Sequence, residues 1–367
     1  MGLYSKFVEP QLKAALSPYT FPDKPLSLWT SGTTGTESTY CTRHEALSVP
    51  AISRARNIIC GTAGSLELHV KRRIDKSKVE PTPSIIRNPD PRMPSGVIFA
   101  MTTENLLFHG VAYWQITSMD PVTNRPATAQ WIDAPRVSQK LDSTGTIVIG
   151  YSIDAGQTLP TSGVGSLIQF TGIDPDGVLN RGGRTIRTAA ALERATNRYA
   201  NEPTPSVVLK ANVPMDSNKA QALLDAWKSA RQMRGTAFLS DNVDMESVGF
   251  NAADLQMTEA REYLAKECAR LMNIPSYYLD AATNSMTYSN VTAERRALLD
   301  FSLRPLLTAI EQRLSMDDVT VSTQYVEFDL DDFLRGDPLT RADVYSKLIP
   351  LGVLTVEEAR EEEDLVR

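Results

Sequence analysis

The stretch that decides the fold is Asp280–Leu314, DAATNSMTYSNVTAERRALLDFSLRPLLTAIEQRL. Its second part carries Leu299, Leu303, Leu306, Ile310 and Leu314 at the spacing of one helical face. Pro305 falls inside that stripe, where it removes one N–H and presses its ring on the carbonyl four residues earlier. The spacing therefore predicts a long helix over 293–315 with a kink at Pro305. Its first part, Asp280–Thr292, is mostly small, hydroxyl and amide residues, with Met286 and Tyr288 near the middle and no glycine or proline for a tight turn. A polar loop of that length is a lid over chemistry, an inserted segment, or a surface along which something slides.

On the N-terminal side, ADLQMTEAREYLAKECARLMNIP places Met257, Ala260, Leu264, Cys268 and Leu271 on a helical stripe that Pro275 stops. A matching rod, RTIRTAAALERATNRYANE, begins at Arg184, with Ala189, Leu192, Thr196 and Tyr199 as its apolar line. Its Arg184, Arg187, Arg194 and Arg198 fall within about 80° of one another at 100° per residue. They read either as partners for acids such as Glu259, Glu262 and Glu267 or as a basic band facing DNA. Between the rods, 203–251 reads as a strand, a helix capped by Asp216 or Ser217, a stop at Gly235 and two short strands, a βαββ insert. Helices with such narrow, small-residue stripes bury against copies of themselves or neighbours, which predicts an oligomer.

The first 45 residues are rich in Pro, Ser, Thr and Gly and read as a partly irregular arm. Order is expected from Ser48 as an N-cap with Pro50 in the first turn. Val49, Ile52, Ala55, Ile59 and Ala63 follow at helical spacing, then alternating Leu66, Leu68 and Val70. A helix over Ser95–His109 and a series of short strands complete a mixed α+β region to about residue 176. After the kinked helix, VSTQYVEFDL is a strand, and the chain ends in a short helical hairpin broken at Pro350–Gly352 with an acidic tail.

Chemistry is harder to find. A net charge of −6 weighs against a broad basic face that grips nucleic acid. Cys41, Cys60 and Cys268 are scattered thiols suited to a reducing compartment. The N-terminus has no apolar signal core, and Lys6 stands where a myristoylation motif takes Ser or Thr. No segment has the length of a membrane span, so a cytosolic origin is expected. GTTGT, GTAG and RGGRT lack the lysine of a phosphate-binding loop, and there is no GxSxG elbow. His44, His69 and His109 stand apart, and no cluster has zinc or calcium spacing. The acidic runs 328–333 and 357–364 read as solvated faces; the basic run 69–78 is a solvated hairpin, or a phosphate or partner contact. No catalytic, cofactor-binding or metal residue is expected, and no enzyme.

Five segments, in order, carry a resemblance: VPAISRARNIICGTAGSLELHVKRR (49–73), ENLLFHGVAYWQI (104–116), CARLMNIPSYYLD (268–280), TYSNVTAERRALLDFSLRPLLTAIEQRL (287–314) and FDLDDFLRGDPLTRADVYSKLIPLGVLTVEEAR (328–360). They resemble the HK97-like family of portal proteins of tailed bacteriophages over roughly 45–362. Val111 and Glu357 replace residues that are commonly Asn in that family.

The resemblance implies an α+β portal fold in a ring of subunits, usually twelve. In its plan, 1–45 is an arm, 46–176 a mixed α/β wing, and 177–202 and 252–275 the two stem helices. The βαββ clip is 203–251, the tunnel loop 276–292, the long kinked helix and a wing strand 293–332, and a short crown 333–367. Asn284, Ser285, Met286, Thr287, Tyr288 and Ser289 would then line a DNA channel. Arg184, Arg187, Arg194 and Arg198 would face the channel or a neighbouring subunit. Trp227, Arg231, Met233, Arg234 and Phe238 would be clip core or contacts to terminase and adaptor.

The implied function is a ring at one capsid vertex of the virion, assembled in the host cytoplasm. It passes double-stranded DNA during packaging and ejection, with no cofactor and no membrane. Its implied partners are further copies of itself, the large terminase, a head–tail adaptor, the major capsid protein and a scaffolding protein. Two alternatives stay open: another ring-forming virion component such as an adaptor, and a hydrolase without a recognisable motif.

Overall fold

The computed structural model describes residues 40–141, 143, 148–201, 208–211, 216–232, 243–246, 257–279, 294–330, 333 and 338–363. The chain forms two compact units, one from residues 1–187 with 265–367 and the other from 188–264.

The first unit opens with α1 (Arg43–Ser48), whose first three residues fall in the segment expected to be irregular. The reason is TRHE, in which Thr42 Oγ1 accepts from the Glu45 N–H while the Glu45 carboxylate accepts from the Thr42 N–H. This capping box satisfies two donors that a helix start otherwise leaves orphaned. Ser48 is therefore the end of α1 rather than an N-cap, and its hydroxyl donates to the Glu45 carbonyl. Next comes α2 (Pro50–Ser65), with Pro50 at its first position and Ile52, Ala55, Ile59 and Ala63 fully buried.

The centre of this unit is α4 (Ser95–His109), reached through β1 (Leu68–Arg72) and the one-turn α3 (Ser84–Arg87). Helix α4 is buried on most sides, and it turns its polar side chains onto its own backbone: Thr102 and Thr103 donate to the carbonyls of Ile98 and Phe99. Helices α2 and α4 touch at two glycines. A Cβ on Gly64 would lie 2.5 Å from the Gly96 carbonyl oxygen, and one on Gly96 would lie 2.4 Å from that of Gly64.

A three-stranded antiparallel sheet follows, ordered β3–β2–β6, from β2 (Val111–Met119), β3 (Pro126–Ile132) and β6 (Leu167–Thr171). Trp114 of β2 stacks edge-on against Phe170 at 4.9 Å and donates its indole N–H to Thr102 at 2.8 Å. The ribbon of β4 (Val137–Leu141) and β5 (Val148–Ile153) packs Tyr151 against Tyr113.

From the far end of the sequence, the π-helix Leu298–Leu303 leads into α9 (Arg304–Leu314) and β9 (Gln324–Phe328). Strand β9 pairs antiparallel with β1, from Leu68↔Phe328 to Arg72↔Gln324. Arg313, buried on α9, donates to the Gln169 carbonyl and forms a two-pronged pair with Asp318. The last helices are α10 (Pro338–Leu348) and α11 (Val356–Glu362).

One buried charge cluster fastens α1 to this core. The Glu104 carboxylate receives Arg43 and Arg56. Burial alone would raise the Glu104 pKa, and the two guanidinium groups outweigh it and hold the carboxyl below its ordinary value.

The chain enters the second unit on α6 (Gly183–Asn201) and leaves it on α8 (Met257–Leu271). Within the unit, β7 (Val208–Ala211) and β8 (Val243–Glu246) pair antiparallel, with α7 (Ser217–Gln232) between them in sequence. These are the described parts of the expected βαββ insert; its remaining strand falls outside the described residues.

Candidate functional site

The site that the sequence singles out is the polar segment before the kinked helix. Residues 280–293, with all six expected channel residues Asn284–Ser289, lie outside the described residues. What the structure defines is the joint that holds their two ends.

The first end is the stop of α8. Asn273 takes φ 52°, the left-handed conformation, its N–H donates to the Arg270 carbonyl, and the Ile274 N–H reaches back to Ala269. Those two bonds are a Schellman cap with asparagine where glycine is usual. Ile274 is buried and Pro275 prevents continuation, so MNIP is read as a complete helix stop. A short 3₁₀ turn, Ser276–Tyr278, follows, with the Tyr277 and Tyr278 rings 4.8 Å apart and the Tyr278 carbonyl accepting from Arg54. Burial is the first cause that pushes the Tyr277 phenol up to about 12.

The second end is the start of the kinked helix. Proline at 305 cannot serve the carbonyl of Phe301, four residues earlier. The chain answers with a π-helix turn, in which the Arg304 N–H bonds back to Leu299, and with Asn273, whose side-chain amide donates to the Phe301 carbonyl. Ser302 Oγ in turn donates to the Asn273 carbonyl. The kink expected at Pro305 is therefore a widened helical turn just before the proline, pinned to the cap of α8.

The two ends also touch directly: Tyr277 Oη donates to the Glu294 carbonyl at 3.5 Å. The roots of the polar segment are thus clasped together by Tyr277–Glu294 and by the Asn273–Phe301–Ser302 set. Sequence reading missed Asn273. The signal was the pair NIP and Pro305, one a helix stop and the other an orphaned carbonyl needing a donor.

The arginine stripe is resolved in part. Arg184 and Arg194 are exposed on α6, while Arg187 is half-buried with its Nε–H on the Gly183 carbonyl; the Arg198 side chain lies outside the described residues. An ion pair that the sequence reading did not name joins α6 and α8 in the second unit: Arg261 of α8 forks onto Glu193 of α6 at 2.9–3.1 Å. Glu267 is held instead by Arg270 on its own helix, while Glu259 and Glu262 are exposed. Trp227 is half-buried on α7. The Arg231 side chain and Met233, Arg234 and Phe238 fall outside the described residues.

Among the described residues there is no cluster of His, Cys, Asp or Glu arranged to hold a metal, and no helix is long and apolar enough to cross a membrane. Cys41, Cys60 and Cys268 are free and buried. Burial pushes the Cys60 thiol to about 12, far from a reactive thiolate.

Comparison with known proteins agrees with this architecture. The model of the phage portal protein family matches residues 50–364, and the chain belongs to that family. The probable portal protein of Streptomyces phage phiC31 is 24% identical, covering 92% of this chain and 79% of its own. The portal protein of Enterobacteria phage HK97 is 24% identical over a shorter part, 32% of this chain and 29% of that one. Among solved structures, the HK97-family portal protein from Corynebacterium diphtheriae aligns over 81% of this chain and 99% of its own, with a TM-score of 0.59 and 24% identity. A protein of the native gene transfer agent neck, computed with C12 symmetry, aligns over 89% of this chain and 93% of its own, with a TM-score of 0.62 and 14% identity. The chain is therefore a bacteriophage portal protein, a structural component of the virion.

Proposed function

We propose that twelve copies of this chain close into a ring at one capsid vertex, and that the tunnel loop 276–292, through Asn284–Ser289, lines the hole through which double-stranded DNA enters and leaves. The observation that carries the reading is the clasp at the roots of that segment. Two unrelated sets of hydrogen bonds bring the flanking residues together, so the fourteen-residue segment 280–293, of which nine residues are polar, is rooted at one joint. Hydroxyl and amide groups touch phosphates and release them, whereas a band of basic contacts would hold duplex DNA through counterion release. A chain of net charge −6 suits passage rather than grip.

In this reading 46–176 forms the wing, α6 and α8 the stem, 203–251 the clip, and the helices after residue 333 a short crown. The clip, with Trp227, Arg231, Met233, Arg234 and Phe238, docks the large terminase during packaging and a head–tail adaptor afterwards. The wing meets the major capsid and scaffolding proteins. The motor chemistry belongs to the terminase, consistent with a sequence that has no phosphate-binding loop. Arg184, Arg187, Arg194 and Arg198 face the channel or the next subunit.

Negative-stain microscopy of the purified full chain tests this. A ring with a central hole and about twelve-fold symmetry is expected. A monomer, or a thin ring without a separate stem, would overturn it.

A further inference from the structure

An open groove of ≈ 630 Å³ lies in the first unit, beside the Asn273 joint. Its floor is apolar, made by Leu106, Val178, Leu271, Met272, Pro305 and Leu306. Its charged lining residues neutralise each other in pairs, Arg181 with Asp174 and Arg270 with Glu267. Asn273 is committed to the Phe301 carbonyl. The groove thus presents no spare charge to a phosphate or carboxylate, and what it fits is an apolar protein surface. Two large side chains are left in water here: Ile173 of its lining, 81% exposed, and Phe301, 65% exposed and next in sequence to the lining residue Ser302. Apolar surface flanking a concave floor in this way marks an interaction site.

We infer that this groove is one half of the contact between neighbouring copies of the chain, an assignment that rests on the ring reading above. A closed ring is built from heterologous contacts, in which each copy offers two different patches. Copies that each carry a charge of −6 repel one another overall, so their contact needs a locally neutral, apolar patch. Around the groove, charge is cancelled at short range and apolar surface is exposed. Ile173 and Phe301 are the anchors that the next copy covers. The rival occupant is the chain's own N-terminal arm, which joins the fold where the Cys41 N–H meets the Leu179 carbonyl, on the turn that also supplies Val178 and Arg181.

The test uses the full chain with Ile173→Asp or Phe301→Asp, followed by native mass spectrometry and microscopy, and far-UV circular dichroism for folding. A buried charge at an interface anchor is expected to weaken each contact at least ~30-fold, so rings give way to folded monomers. Rings that persist at wild-type concentrations overturn the inference. A wild-type chain that never forms rings instead overturns the ring reading itself. Where a variant loses its fold, a photo-crosslinking residue in place of Ile173 decides the matter. Covalent ladders of two or more copies support the inference, and crosslinks confined to residues 1–39 of the same chain refute it.

Discussion

Asn273 does three things at once: it takes a left-handed backbone, closes the cap of α8 and feeds the carbonyl that Pro305 orphans. The substitutions separate these roles. Asn273→Gly keeps the backbone conformation and loses the side-chain bond, a loss of about 1–2 kcal/mol. Asn273→Ala loses the same bond and keeps a Cβ in the left-handed region without the polar side chain that lets asparagine tolerate it, for about 1–2 kcal/mol more. Urea unfolding of the two variants checks the order; equal losses would mean that the left-handed backbone costs alanine nothing extra, and no loss in Asn273→Gly would mean that the side-chain bond contributes nothing. Glu104 makes a pH-dependent contribution. Its folded pKa is depressed, so its stabilisation is fully present above the unfolded value of about 4.3 and is lost as pH falls through the lower folded value. Glu104→Gln leaves two arginines facing a neutral amide and is expected to cost about 3 kcal/mol or more at neutral pH. The difference from wild type should shrink between pH 5 and strong acid, measured by denaturant titration at each pH.

At the scale of elements, the two glycines of α2 that face different surroundings make a paired experiment. Gly64→Ala drives a methyl group against the Gly96 carbonyl and should destabilise by about 1–3 kcal/mol. Gly61→Ala, where nothing lies within 4 Å, should stabilise by up to about 1 kcal/mol through helix propensity alone. Thermal melts of both variants check the contrast. Long helices such as α4, α6 and α8 were legible because apolar spacing and proline stops are local signals. α1 was missed although TRHE is a capping signature, because the Pro- and Gly-rich stretch before it dominated the composition. The π-helix was legible only as a kink, since its hydrogen bonds depend on a donor at Asn273, 28 residues away in sequence from Phe301. For the same reason the Glu193–Arg261 pair between α6 and α8 was not legible: it is chosen by helix rotation, which spacing within one helix does not report.

For the molecule as a whole, the channel reading proposed above makes the polar segment the part on which function turns. Under the channel reading, lysines at Asn284, Ser285, Met286 and Thr287 would add four cations per copy to the wall that DNA slides past. Packaging or ejection should slow and become salt-dependent, while rings still form. Wild-type packaging rates in such a variant would remove this segment from the channel. The family and the fold were both legible in the sequence, because five ordered segments carry helix stops and strand pairings that the fold requires. The groove beside the Asn273 joint was not legible, since its floor is assembled from α4, α5 (Gly177–Arg181), α8 and α9.

The pairing of β1 with β9 also sets a schedule. Leu68 waits for Phe328, a partner made 260 residues later, and Val70 waits for Val326. A nascent chain on the ribosome therefore carries a β1 without its β9 partner for most of its synthesis. Helices such as α2 and α4 can form early from local contacts, but this two-stranded sheet is completed only when nearly nine-tenths of the chain has emerged. Products truncated before residue 324 are consequently left without that sheet, so its closure reports that the chain has been made nearly to its end.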